Sequence, residues 1–242
     1  MRLHLLLFTS LLCNCLLAQF SPIIVGGEPN QDTPTAKEIL VRVSETYENC
    51  KSYRDTGVVT TIFKNSGGKR TVEKPFNTAF VRPNRFRFEY YDKETGGPKN
   101  RYIIAQNDNK IQSWWEIKRV VEQPESLGSA LAGATGVSGG SAHTIPALLL
   151  PKEINGSRLT ELADAKRIED GELGTVQCFR IQSKEINALM TLWIDKKSYL
   201  VHRIDERKNF DDFTTEETTT YDPAIDGEIP EKALDFDPPK RK

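Results

Sequence analysis

A chain of 242 residues with 33 basic and 34 acidic side chains carries no basic excess with which to hold nucleic acid. Its length allows one large domain or two small ones. Beyond the first eighteen residues it holds no apolar run long enough to span a bilayer.

Residues 1–18 read as a signal peptide: Met1 to His4 give a short basic start, Leu5 to Ala18 an apolar run, and Ala18 a cleavage residue. Its removal predicts a soluble, extracytoplasmic protein with net charge −2, from 32 basic and 34 acidic residues. An uncleaved anchor, or a lipid anchor on Cys13 or Cys15, stays open. Residues 19–34, rich in Pro, Gly, Asn and Gln, read as a flexible tether. Cys50 and Cys178 remain as an even pair in an oxidising compartment, which points to a disulfide; two buried thiols are the alternative.

Thr35-Ala-Lys-Glu38 is a capping box, and Ala36, Leu40, Val43, Tyr47 and Cys50 follow at helical spacing. From Tyr53 the period changes to two. Strands are predicted over Tyr53–Phe63, Lys69–Phe76, Asn77–Arg82, Arg85–Tyr90, Arg101–Gln106 and Lys110–Glu116, with short turns between them. After residue 151 the pattern resumes over Arg158–Glu169, Val176–Lys184, Ala188–Lys196, Tyr199–Lys208 and Thr214–Tyr221. Roughly ten strands without βαβ alternation predict an α+β fold: one strongly curved antiparallel sheet forming an incomplete β-barrel, with the N-terminal helix and a helical lid on its concave face. The domain is expected to run from 35 to 239.

The lid, at 124–151, is set apart by its lack of charge. Ser126 to Pro151 are 26 residues without an Asp, Glu, Lys or Arg, where the 28% average of the chain would place about seven. It reads as two short helices joined by a Gly-Ser hinge. The first is opened by Pro124 and carries Leu127, Ala130, Leu131 and Ala134; the second is capped by Thr144 and carries Ile145, Leu148 and Leu149. On spacing alone it is equally a lid over an apolar pocket or a core segment plus a loop; its five glycines favour the lid.

One sheet face collects Val59, Phe63, Phe80, Phe86, Phe88, Tyr90, Tyr102, Ile104, Ile111, Leu192, Ile194 and Ile204. Either these fill an ordinary core or they line a cavity for a hydrophobic ligand, since a wide curved sheet encloses more room than one helix fills. His143 and His202 have no partner at metal-ligand spacing, and no phosphate or dinucleotide loop is present, so neither metal nor cofactor is expected. Gly136-Val-Ser138-Gly-Gly140 has the letters of a nucleophile elbow, and His202 and Asp205 follow it, but the elbow needs a strand entering and a helix leaving inside an α/β sheet. Low complexity accounts for the match, and a non-enzyme is expected. Asn155-Gly-Ser157 spells a glycosylation acceptor.

From about residue 35 to 239 the sequence resembles the LolA/LolB-like periplasmic lipoprotein carriers and the outer-membrane lipoprotein-sorting proteins. The likeness rests on the helix Ile39–Tyr47 running into Lys51-Ser-Tyr53, and on Val81-Arg-Pro-Asn-Arg-Phe-Arg-Phe88. It continues through Leu192-Trp-Ile-Asp195, Tyr199-Leu-Val-His-Arg-Ile204 and the tail Ile229–Pro239. What the resemblance implies is an unclosed barrel under a helical lid, whose cavity takes the acyl chains of a lipid or a lipidated protein. It also implies transient contact with a membrane-bound donor or acceptor, and in a sensor relative occupancy regulates signalling. A monomer and an envelope protein partner fit the same picture. No residue stands out as the counterpart of the carriers' functional arginine. An envelope interaction module without lipid transfer, and an esterase using Ser138, are the other readings.

Overall fold

The computed structural model describes residues 33–94 and 97–239. The signal peptide and all but the end of the tether lie outside the described residues. Helix α1 (Ala36–Asn49) starts at the predicted capping box: the Glu38 amide donates to Thr35 Oγ1 at 3.3 Å, and the Thr35 amide to Glu38 Oε2 at 2.8 Å. Its Ala36, Ile39, Leu40, Val43 and Tyr47 are buried.

Six strands precede the lid: β1 (Ser52–Asn65), β2 (Gly68–Val81), β3 (Arg85–Glu94), β4 (Gly97–Asn107), β5 (Lys110–Trp115) and β6 (Val121–Glu122). The lid comprises α2 (Leu127–Thr135), α3 (Ser141–Thr144) and α4 (Pro146–Leu149). Six more follow: β7 (Lys166–Leu173), β8 (Val176–Lys184), β9 (Ala188–Asp195), β10 (Val201–Asn209), β11 (Phe213–Tyr221) and β12 (Ala224–Ile225). The sheet order is β6-β5-β4-β3-β2-β1-β11-β10-β9-β8-β7, every pairing is antiparallel, and β12 adds to β1. The edge strands β6 and β7 do not pair with each other, so the sheet stays unclosed, as expected. Side chains alternate across it, and one face carries the core: Tyr53 and Val59 from β1, Phe76 and Phe80 from β2, Phe86, Phe88 and Tyr90 from β3, Leu192 and Ile194 from β9. On the other face the tail is strapped down, Arg85 gripping Glu231 through both nitrogens and Arg87 Nε donating to the Asp235 carbonyl at 2.7 Å.

Three expectations are corrected. The segments Lys69–Phe76 and Asn77–Arg82 form one strand, β2, because Pro75 falls where β2 is paired with β1 alone and β3 pairs only from Phe76 onward. Arg158–Ala165 is turn rather than strand: Glu161 accepts from the Arg158 amide at 3.0 Å and pairs with its guanidinium, a local bonding pattern that competes with a ladder. Cys50 and Cys178 are both free and buried, with no disulfide between them. Cys50 belongs to the core, whereas Cys178 alternates with the core residues Phe179 and Ile181 and faces the opposite side of the sheet. Burial pushes both thiols up to about 11, which leaves them unreactive at neutral pH.

Candidate ligand-binding face

The wall predicted from the sequence is assembled as a single surface. Val59, Phe80, Phe86, Phe88, Ile104, Leu192 and Ile194 are at 0% exposure, and Tyr90 and Tyr102 are buried beside them. Ile111 packs at its margin, half-buried, and Ile204 is buried. Phe63 differs. It stands at the far end of β1, 40% exposed, where the strand has run past its helical cover.

Against this wall lie all five predicted lid residues, Leu127, Leu131, Ile145, Leu148 and Leu149, each buried. The start of α2 is not at Pro124. Ser126 caps it in a reciprocal box with Ser129, whose amide donates to Ser126 Oγ at 3.1 Å while the Ser126 amide donates to Ser129 Oγ at 3.2 Å. Pro146, rather than Thr144, begins the last turn. From Ile145 to Leu150 every residue is buried, which is the physical reason the segment carries no charge. The loop that follows contributes buried Ile154 and Leu159 to the same core. So α2 is a surface cover, while α4 is a plug.

The glycines of the hinge have static uses as well. Gly139 and Gly140 take φ of 65° and 81°, a region costly for other residues, and a Cβ on Gly139 would stand 2.9 Å from Val59 Cγ1. Gly128 lets α2 approach the Glu153 carbonyl, where a Cβ would come within 2.5 Å. The lid's hydroxyls are spent internally: Ser138 Oγ donates to the Thr135 carbonyl at 3.2 Å and accepts from the Ala142 amide at 3.1 Å.

Two cations clip this cover to the sheet. Arg82, at the end of β2, donates from Nε to the Cys50 carbonyl at 2.7 Å and from Nη2 to the Tyr47 carbonyl at 3.1 Å and the Leu149 carbonyl at 2.9 Å. One guanidinium thus joins the sheet, the last turn of α1 and the end of α4. Lys74 Nζ donates to the Val137 carbonyl in the glycine turn. Neither was singled out from the sequence. Acceptors that are backbone carbonyls leave no residue-type signature.

Under the clipped cover sits a buried polar cluster. Asp55 accepts from Tyr53 Oη at 2.7 Å and from the Thr78 amide at 2.9 Å. Burial pushes its carboxyl up to about 6, because its hydrogen bonds do not repay the loss of water. Tyr47 Oη accepts from the Val201 amide at 3.0 Å.

Open room is found beside the glycine turn. Cavities of about 340 and 520 Å³ flank Gly136 and Gly139, and Phe63 lines the larger one. Of the three residues of the elbow reading, His202 is half-buried at the start of β10 and the other two are held apart. Ser138 is fully buried and committed within the lid, and Asp205 accepts from Trp193 Nε1 at 2.8 Å on the sheet face opposite Ile204. His143 Nε2 lies 3.1 Å from the Asn155 carbonyl. Among the described residues no group of three potential ligands is placed to hold a metal ion, and no helix is long and apolar enough to cross a membrane.

No protein-family model matches the chain, and no curated protein matches it in sequence. Solved structures do. A chain of the Pseudomonas aeruginosa MucA/MucB complex is 11% identical over 84% of this chain and 61% of its own, with a TM-score of 0.44. LprF from Mycobacterium bovis is 10% identical over 81% of this chain and 94% of its own, at 0.43. A LolA superfamily protein from Nitrosomonas europaea is 11% identical over 84% and 98%, at 0.32. At such identities and scores these are likenesses only. The architecture itself, an unclosed antiparallel sheet with a helix and an uncharged lid on one face, is the one that the sequence resemblance implied.

Proposed function

We propose that residues 35–239 act as a non-enzymatic periplasmic carrier or sensor of a hydrophobic ligand, working as a monomer and meeting a membrane-bound donor or acceptor only transiently. The wall from Val59 to Ile194 receives the ligand when the lid leaves it. The observation that carries this reading is how the lid is held: a neutral cover on an apolar wall, fastened at its central glycine turn and at its C-terminal end by charged side chains that grip its backbone. Such clips release without exposing a new charge on the lid itself. Because Ile154 and Leu159 join the core behind α4, the moving unit is α2 to about Leu162. An acyl chain entering the vacated space would gain roughly 0.8 kcal/mol per buried CH2.

The test is native mass spectrometry of the purified chain together with binding of a fluorescent fatty acid, in wild type and in Leu131→Glu and Leu149→Glu. Bound lipid, and weakened binding in both variants, is the expected result. No lipid under any condition would remove the carrier.

A second reading is favoured by the filled interior of the closed form: an envelope module that binds a protein partner and moves no lipid. Partner recovery from envelope extract that is unchanged in the two lid variants, with no lipid bound, would support it.

A further inference from the structure

Strand register places a two-tiered polar site at the open end of the same face. Across β2, β1, β11 and β10 the residues Arg70, Phe63, Thr215 and Lys208 stand directly opposite one another in a row. Two residues further along each strand, on the same side, comes the row Val72, Thr61, Glu217 and Glu206. Cations occupy the outer tier and carboxylates the inner one, about 7 Å apart along the strands.

Two of these four charges already have a mate. Lys208 Nζ holds Glu206 Oε2 at 2.7 Å, and Lys74 stands 3.7 Å from Asp92. Two do not. The Arg70 side chain has no hydrogen-bond or ion-pair partner among the described residues. Glu217 accepts only the Thr61 hydroxyl, at 2.8 Å, and burial raises its carboxyl above the usual range. Both line the cavity of about 520 Å³, yet they do not pair with each other. Arg70 is exposed and Glu217 half-buried, so one cavity offers a cation open to solvent and a carboxylate with only a hydroxyl partner, which together complement a ligand that carries both signs.

The surroundings specify the rest of that ligand. Phe63, Phe210 and Phe213 flank the mouth, the last two with rings stacked at 4.3 Å. Beside Gly136, where a Cβ would meet nothing within 4 Å, lies the cavity of about 340 Å³, lined by Leu159, Met190 and Ile204 on its apolar side and by Glu206, Lys208 and Glu217 on its polar side. Both volumes fall in the range of small-molecule sites.

We propose that this groove binds a single-chain zwitterionic amphiphile with a phosphate and a primary ammonium in its head. Arg70, aided by Lys208, holds the phosphate; Glu217 accepts from the ammonium; the chain passes Gly136 toward Leu159, Met190 and Ile204. The proposal rests on the hydrophobic-carrier reading and names a ligand class and a headgroup site for it.

The experiment measures binding of three monomeric lysophospholipids of one chain length, with ethanolamine, choline and glycerol heads, by isothermal titration calorimetry. The ethanolamine lipid is expected to bind about tenfold more tightly than the glycerol lipid, which lacks the cation, and than the choline lipid, which has no N–H to donate. Glu217→Gln should remove that preference, and Arg70→Gln should weaken all three lipids. Gly136→Phe should block the passage. It sits at an ordinary helical φ of −64° where a Cβ meets nothing within 4 Å, so the fold is kept. Equal affinities for the three heads, or affinities unmoved by Glu217→Gln and Arg70→Gln, would overturn the headgroup site. If the chains still bind in those cases, the carrier stands and its ligand lies under the lid; if no lipid binds at all, the carrier falls with the groove.

Discussion

Helix α1 and the lid cover the same wall by opposite means. The helix turns a stripe of Ile39, Leu40, Val43 and Tyr47 inward and charges such as Lys37, Glu45 and Glu48 outward, so its orientation is fixed by its own sequence. The lid has no charged face. Its α2 shows solvent Ser129, Ala132 and Gly133, its α4 is buried all round, and its hold on the sheet comes from Arg82 and Lys74. A cover of the first kind belongs to the folding core. One of the second kind can detach at less than the full cost of unfolding.

The largest expected effect separates the two directly. Ile39 in α1 and Leu131 in α2 are both at 0% exposure. Ile39→Ala should cost about 2–5 kcal/mol of global stability, read from urea midpoints. Leu131→Ala should cost less globally and should instead raise amide exchange across 127–150 while α1 stays protected. Equal losses of midpoint, with no local increase in exchange, would erase the distinction between the two covers.

Next comes the carboxyl beneath them. Asp55 faces Tyr47 from α1, Tyr53 from its own strand, Thr78 from β2, Tyr221 from the end of β11 and Asp222 just beyond it, with no cation among them. Its folded value of about 6 lies above the ordinary 3.8, so between those values the folded state binds more protons than the unfolded one. Its contribution is therefore most favourable below about pH 4, declines as pH rises to about 6, and stays at the lower level above. The difference amounts to about 3 kcal/mol at most. Paired carboxylates such as Asp237 and Asp170, held low by their arginines, run the other way. The clean measurement is thus the difference between wild type and Asp55→Asn, which should widen in favour of the variant from pH 4 to pH 7. A difference independent of pH would mean the carboxyl is not buried as charged.

Arg82→Gln ranks below this. It removes three charge-assisted bonds that end on carbonyls of α1 and of α4, at about 1–3 kcal/mol for the clip as a whole. Exchange at Leu148–Leu150 and faster ligand release should report it, more strongly than the urea midpoint does. Protection of those amides unchanged from wild type would show that packing alone seats the plug.

How much of this could be read in advance depends on where the information resides. The capping box at Thr35, the alternation of Phe86, Phe88 and Tyr90, and the uncharged run all follow from local sequence, and they gave the sheet, its covered face and its cover. What stayed hidden was relational. Arg82 reaches carbonyls 32, 35 and 67 residues away, and backbone acceptors have no letter. Cys178 was assigned a partner by counting, whereas its phase relative to Phe179 already put it on the far face. The glycines of the hinge were read as freedom, while Gly139 and Gly140 answer to φ and to contact with Val59. The opposed rows of Arg70 and Glu217 exist only once four strands are in register.

The smallest expected effect is the most symmetrical test, because α1 and α2 begin with the same device. Thr35 and Ser126 each accept the amide three residues on, and each N3 side chain reaches back to the cap amide. Substitution of such a cap by alanine costs about 1 kcal/mol of helix stability wherever it sits. Where that cost is felt depends on what the helix is coupled to. Thr35→Ala should lower the global urea midpoint, since α1 unfolds only with the sheet it seals. Ser126→Ala should leave the midpoint near wild type and increase exchange within α2 alone, since the lid opens on its own. The identical chemical change thus reads out coupling rather than cap strength, and two equal shifts in midpoint would mean that lid and helix melt as one body.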